Sequence, residues 1–168
     1  MVKFTLTHEI DCAPETFWKI FFDQEFNQQL HTQVRDFSAY TTVEQRENEQ
    51  EIYRKIQGVP KLNLSEPVAK LLGAAISFVE EGTFNKATQI WHWKMTPSVM
   101  HDKIRNEGTV RVESTGDGKC SRLTEVEIEA QVFGVGGMIE SNGENHMREG
   151  SEQGAAFMNQ WIKDGKAK

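Results

Sequence analysis

The long C-terminal stretch of the chain predicts one amphipathic helix that packs against an apolar surface. Residues 132–165 contain no proline, and their apolar and small side chains recur at spacings of three and four. We predict a helix from near Gly136 to near Lys163. Its inner face carries Ile139, Gly143, His146, Met147, Gly150, Gly154, Phe157, Met158 and Trp161.

Three glycines on that inner face are unexpected, because each costs a helix about 1 kcal/mol relative to alanine. Gly143, Gly150 and Gly154 present no side chain to the surface beneath them. Such a face either leaves empty volume, and hence a ligand cavity, or allows a neighbouring backbone to approach closely. We expect the glycines to face a sheet and to leave a pocket, with close packing as the alternative.

Composition limits the class of protein. The chain has 168 residues, 38% of them hydrophobic, and a formal charge of −6, which together are typical of a globular chain long enough for one core. The negative charge argues against a nucleic-acid partner, which requires a basic surface. Cys12 and Cys120 lack metal-ligand spacing and are expected to be reduced thiols. With neither a signal peptide nor a transmembrane segment recognised, we predict a cytoplasmic protein.

The rest of the chain alternates between strand and helix patterns. Val2, Phe4, Leu6, His8 and Ile10 share one face of a first strand. A helix started by Pro14 and a second helix over Gln24 to Thr32 follow. Six more strands are predicted, at residues 36–46, 49–58, 74–84, 87–96, 103–114 and 121–133. The segment 60–73 interrupts them with a short helix that ends at Gly73, and we expect it to cover one mouth of the cavity.

Three stretches of this sequence resemble the START-like (SRPBCC) superfamily, which includes polyketide cyclases, lipid-transfer domains and Bet v 1-type proteins. They are HEIDCAPETFWKIFFD, the Trp91-His92-Trp93 strand and the passage VFGVGGMIE. The similarity is nearest to a branch described only as a domain of unknown function. It implies one α+β domain over residues 1–168 with a helix-grip fold. In that fold a curved antiparallel sheet of about seven strands, with two short helices after the first strand, wraps a long C-terminal helix around a cavity.

The inward-facing side chains are the candidate ligand-binding residues. We predict that His8, Arg54, Phe78, Trp91, Trp93, Met147, Gly150 and Phe157 line the cavity. Arg54 shares a face with Ile52 and Ile56, and Glu80 is expected to point inward from the next strand. Either Arg54 and Glu80 form a buried ion pair, or Arg54 remains available to bind the anionic head of a ligand.

Motifs for other chemistry are weak. Gly134-Val135-Gly136-Gly137 lacks the third glycine of a dinucleotide-binding loop, and no two histidines have metal-ligand spacing. We expect no cofactor and no metal, and we identify no catalytic set. The predicted function is therefore non-catalytic binding or transport of a small hydrophobic molecule, such as a lipid or isoprenoid. The alternative is a cyclase or hydratase that uses His8, His146 or Glu80 as acid–base groups.

Overall fold

The computed structural model describes residues 1–73 and 76–167. Seven antiparallel strands form one curved sheet in the order β1-β7-β6-β5-β4-β3-β2. Their bounds are β1 Val2–Ile10, β2 Ala39–Glu47, β3 Glu51–Val59, β4 Phe78–Asn85, β5 Ile90–Pro97, β6 Ile104–Gly116 and β7 Lys119–Ala130. Strands β2 to β7 pair with their sequence neighbours, and β1 closes the far edge against β7. The predicted architecture is confirmed.

Four α-helices accompany the sheet: α1 Pro14–Phe21, α2 Gln24–Gln29, α3 Glu66–Leu72 and α4 Gly136–Lys163. Pro14 starts α1, where its missing N–H is not needed. The Asp23 carboxylate caps α2 by accepting from the Phe26 N–H at 2.8 Å. Gly73 ends α3 with a φ of +87°, a conformation that favours glycine. The predicted bounds of α4 are confirmed.

Helix α4 packs on the sheet through β1 and β7. Ile139, Ala155, Met158 and Trp161 are buried on its inner face. Side chains of β7 alternate as predicted, because Thr124, Val126, Ile128 and Ala130 are buried and the glutamates between them lie on the outer face. This alternation gives the helix an apolar surface to cover.

Aromatic side chains of α1 fill the space over the middle of the sheet. The Trp18 ring lies 4.4 Å from that of Phe84, and Phe21 contacts Trp91 edge to face at 5.4 Å. Such pairs add about 0.5–1.5 kcal/mol beyond their buried area. This cluster anchors α1 on the sheet, and two of its members, Phe21 and Trp91, also line the cavity described below.

Some element boundaries differ from the predictions. The second helix ends at Gln29 and continues as a π-helical turn over Leu30–Val34. Strand β2 then begins at Ala39 instead of residue 36, because Asp36 has a φ of +58° that a strand does not allow. Strand β7 ends at Ala130, before Val132. The start predicted for β4 at residues 74 and 75 lies outside the described residues.

Cys12 and Cys120 are buried and free. Burial and the neighbouring Cys120 raise the pKa of Cys12 to about 12, so this thiol is unreactive at neutral pH. In the part of the chain that the structure describes, no helix is both long and apolar enough to cross a membrane.

Gly82 in β4 gives a test of the packing over the sheet. A Cβ atom at Gly82 would overlap the indole of Trp91. We expect Gly82→Ala to lower the free energy of unfolding by about 1–3 kcal/mol through overpacking, measured by urea denaturation. Gly137→Ala is the control, because nothing lies within 4 Å of a Cβ there. Equal stabilities of the two variants would contradict this packing.

Candidate ligand-binding cavity

A cavity of about 170 Å³ lies between the sheet, the π-helical turn and α4. Aromatic and aliphatic side chains form most of its wall, among them Phe37, Ile56, Phe78, Trp91, Trp93, Met95, Val110 and Met158. Polar groups interrupt this wall at Arg35, Arg54, Glu80, Arg122 and His146. An apolar pocket with a few converging polar groups is the usual form of a small-molecule site.

The structure brings together most of the residues predicted for the site. Arg54, Phe78, Trp91, Trp93, Met147 and Gly150 line the cavity. The other two lie outside its wall. His8 contacts Arg122 from the β1 edge, and Phe157 stacks on Phe26 at 5.4 Å, next to Trp161. Their role in binding a ligand stays a prediction.

A second cavity, of about 120 Å³, lies beneath α3 and the segment that precedes it. Leu62, Leu64, Val68 and Leu72 form its outer wall. Phe78, Met95 and His146 line both cavities, and Val68 is fully buried. The segment 60–73 therefore covers this second cavity and contributes no residue to the wall of the first, so its role as a cover of the ligand cavity stays a prediction.

The glycines of α4 do not all open onto empty volume. A Cβ at Gly150 would overlap the guanidinium group of Arg35, so the expected void holds a charged side chain. At Gly143 a Cβ would lie 3.1 Å from Ile128 Cδ1 on the sheet. At Gly154 it would meet Leu30 and the Arg122 Nη1 atom at 3.7 and 3.8 Å. Gly143 and Gly154 therefore face β7 side chains, whereas Gly150 faces Arg35, which lies outside the sheet.

Arg54 does not form the buried ion pair that was one alternative. In the sheet register Arg54 is opposite Gly82, and Glu80 is opposite Ile56, so the two charges are diagonal neighbours. Arg54 Nη1 donates to the Phe21 carbonyl at 2.7 Å. The guanidinium carbon lies 4.5 Å from the centroid of the Phe21 ring and 5.0 Å from that of Trp91. These contacts stabilise the charge without a carboxylate.

Arg122 occupies the opposite wall, beside α4. Its Nη2 donates to the Ser151 carbonyl at 2.7 Å, to Ser151 Oγ at 2.8 Å and to His8 Nδ1 at 3.3 Å. Burial lowers the pKa of Arg122 to about 10, which keeps it charged at neutral pH. Arg122 thereby connects β7 to the inner face of α4.

Three histidines around this interior are neutral. Because a guanidinium only donates, His146 Nε2 accepts from Arg35 Nη2 at 3.1 Å, and His8 Nδ1 accepts from Arg122. His31 Nδ1 donates to the Asn27 carbonyl at 2.7 Å. Burial, and then the charge of Arg35, lower the pKa of His146 to about 4 and that of His31 to about 3.

Glu80 and Tyr40 are the acidic groups of the cavity wall. Burial raises the pKa of the Glu80 carboxyl, while Arg54 and Arg35 act in the opposite direction. Burial also raises the pKa of Tyr40 to about 12, so its hydroxyl is protonated. The Tyr40 ring stacks on His31 with centroids 4.0 Å apart. Among the described residues, the cavity wall thus combines the Glu80 carboxyl and the hydroxyls of Tyr40, Thr124 and Ser151 with three guanidinium groups.

Sequence reasoning missed Arg35, Arg122, His31 and Tyr40. The signal for Arg122 was present, because it shares the parity of Thr124 and Val126 on the inner face of β7. Arg35 follows the π-helical turn, where no periodicity applies. Tyr40 and His31 meet only through the tertiary fold.

The chain matches a sequence family described as a protein of unknown function, DUF2505, over residues 5–162. It belongs to that family. No curated protein matches it.

Solved structures with the same fold extend across nearly the whole chain. A protein from Thermus thermophilus is 15% identical with a TM-score of 0.68, covering 98% of this chain and 99% of that one. A Streptomyces aromatase/cyclase is 8% identical with a TM-score of 0.69, covering 96% and 95%. A START superfamily protein from Mycobacterium smegmatis is 12% identical with a TM-score of 0.62, covering 96% and 97%. The fold of this DUF2505 member is therefore the START-like helix-grip fold.

The neutral histidines predict loss of stability in mild acid. As pH falls below 6.5, the unfolded chain takes up protons on His31 and His146, whereas the folded chain does not until about pH 3 and 4. Their stabilising contribution is complete above pH 6.5 and is lost as pH falls through this window. Urea denaturation at pH 7 and pH 5 should show this loss.

The histidine variants give the control for this pH dependence. His146→Gln should reduce the difference between pH 7 and pH 5, and the same change at exposed His92 should leave it unchanged. An unaltered difference in the His146 variant would contradict the assignment.

The segment 60–73 should exchange its amide hydrogens faster than residues 104–112 of β6, because α3 is short and most of its residues are exposed. A ligand in the interior should slow that exchange, since the segment forms the wall of the second cavity. Hydrogen–deuterium exchange with mass spectrometry measures both. Strong protection of the segment in the free protein would argue against a movable cover.

Proposed function

We propose that residues 1–168 form one ligand-binding domain that holds a small, mainly apolar molecule between the sheet and α4, without catalysing a reaction. The observation that carries this proposal is the internal cavity of about 170 Å³ with aromatic walls. A cytoplasmic location belongs to the same proposal and agrees with two free cysteines.

The size of the cavity favours a ligand of about one ring. An engineered cavity of about 150 Å³ binds benzene in another protein. The second cavity, of about 120 Å³, shares Phe78, Met95 and His146 with the first. A longer ligand, such as an isoprenoid, would use both cavities after these side chains move. Met95 suits that role because its unbranched side chain is adaptable.

The histidines support binding over catalysis. His8 and His146 each accept a hydrogen bond from an arginine. Their accepting nitrogens are therefore occupied and unavailable to take a proton from a substrate. Their lowered pKa values also disfavour the protonated form that would serve as a general acid.

A cyclase or hydratase is the second candidate, and Glu80 is the observation that favours it. Its carboxyl lines the cavity, and burial raises its pKa toward the range of a general acid. The similarity to an aromatase/cyclase adds only a shared fold. If the protein is such an enzyme, its turnover must depend on Glu80. A carrier catalyses no reaction and so does not need Glu80 for one.

Native mass spectrometry of the freshly purified protein tests the proposal. We expect a discrete mass increment from a retained small molecule. Val110→Phe should diminish that increment while the fold is kept, because the larger ring enters the cavity from β6. Val43→Phe, at a position that is 52% exposed, is the matched control and should retain the ligand.

The stability of the Val110→Phe variant separates a usable cavity from a closed core. If no usable space exists, the added ring overpacks the core and lowers the free energy of unfolding by about 1–3 kcal/mol. That loss, together with no bound mass in the parent protein, would overturn the proposed function.

A further inference from the structure

We propose that the ligand of this cavity is a small carboxylic acid, bound as its anion by Arg35 and Arg54, with its apolar body against Trp91 and Trp93. This inference rests on the proposed function and names the chemical class of ligand at the same site. The four residues all line the cavity.

The arginines of the cavity lack counter-ions. In the described residues, arginine ion pairs within 4.0 Å are made by Arg46, Arg105 and Arg148 alone. Arg35, Arg54 and Arg122 make none, although the chain as a whole carries a formal charge of −6. An acidic protein has thus placed three arginines around one internal space that, among the described residues, is lined by a single carboxyl, that of Glu80.

Arg54 has a donor with no partner. It is only 6% exposed, and in the described residues its buried Nε makes no hydrogen bond. A buried donor without a partner costs free energy, and more so when the group is charged. A carboxylate accepts from guanidinium nitrogens in the fork geometry that arginine favours.

Arg35 is the second component of the anion site. Its Nη2 donates to neutral His146, and its guanidinium carbon lies 4.9 Å from the centroid of the Phe37 ring. Arg35 and Arg54 both act electrostatically on His31, Tyr40 and Glu80, so the two guanidinium groups serve one region. In the described residues the Nε of Arg122 also makes no hydrogen bond, but its Nη2 already donates to Ser151 and His8, so this guanidinium is held by more contacts than that of Arg54.

Arg35 also lies where a ligand would enter. Arg35, His146 and Gly150 line both the cavity and a surface groove of about 520 Å³ between the π-helical turn, residues 61–64 and α4. The Arg35 guanidinium lies against Gly150, at a point that borders both spaces. An anion arriving in the groove would pass Asp36, Lys61 and Glu149, which also line it, and would reach Arg54 after the Arg35 side chain turns.

Two acid and amide pairs test the charge requirement: benzoate with benzamide, and octanoate with octanamide. Isothermal titration calorimetry on the whole chain at pH 7 should show at least one acid binding about tenfold or more tightly than its amide. Arg35→Gln should remove that preference. Arg46→Gln, at an exposed arginine outside the cavity wall, should retain it.

The outcomes separate this inference from the proposed function. An amide that binds as tightly as its acid would overturn the carboxylate class and leave the carrier proposal intact. An equal loss of acid binding in the Arg46→Gln and Arg35→Gln variants, both folded by circular dichroism, would also overturn it. If neither pair binds, the inference fails. The proposed function would fail as well only if native mass spectrometry also showed no retained small molecule.

Discussion

The contact between α4 and the sheet determines what the interior of this molecule can hold. An uninterrupted apolar stripe on the helix would close the space above β7. Gly150 instead leaves room beside the helix axis for Arg35, and Gly154 lies next to the Nη1 atom of Arg122. Arg122 then donates to the backbone and hydroxyl of Ser151, which ties the helix to the sheet through a charge. The glycines lower the stability of the helix, but they also let arginine side chains lie inside an otherwise apolar interior.

The electrostatics of the interior follow from that packing. Guanidinium groups stay charged when buried, whereas imidazoles lose their proton, so His8 and His146 are neutral acceptors beside Arg122 and Arg35. Rings of Phe21, Trp91 and Phe37 supply further stabilisation to Arg54 and Arg35. The Glu80 carboxyl of the cavity wall is displaced from Arg54 by the strand register. The positive charges of these guanidinium groups are therefore stabilised by aromatic rings and neutral histidines and are not neutralised by a paired carboxylate.

The sequence predicted which face of each strand or helix points inward better than it predicted where along that element the cavity lies. Alternation placed the correct side of β1, β5 and β7 inward, and the helical period placed the inner face of α4. It did not show how far along an element the cavity extends. His8 has the predicted face but lies at the β1 edge, and Phe157 belongs to the stripe but fills an aromatic cluster. Arg35 was beyond such reasoning, because it follows a π-helical turn and reaches the cavity only through the gap at Gly150.

The volume and the charge of the interior together limit the size and charge of a suitable ligand more than either property does alone. The START-like fold by itself is compatible with carriers and with enzymes. A long-chain lipid needs both cavities and displacement of the side chains between them, whereas a one-ring molecule needs only the first. A neutral one-ring molecule would leave the Nε of Arg54 without a partner, at a position that is 6% exposed. The acid that we propose would place its carboxylate beside the Arg54 guanidinium and its ring against the apolar wall, and it would require no proton transfer from histidines whose accepting nitrogens are already occupied.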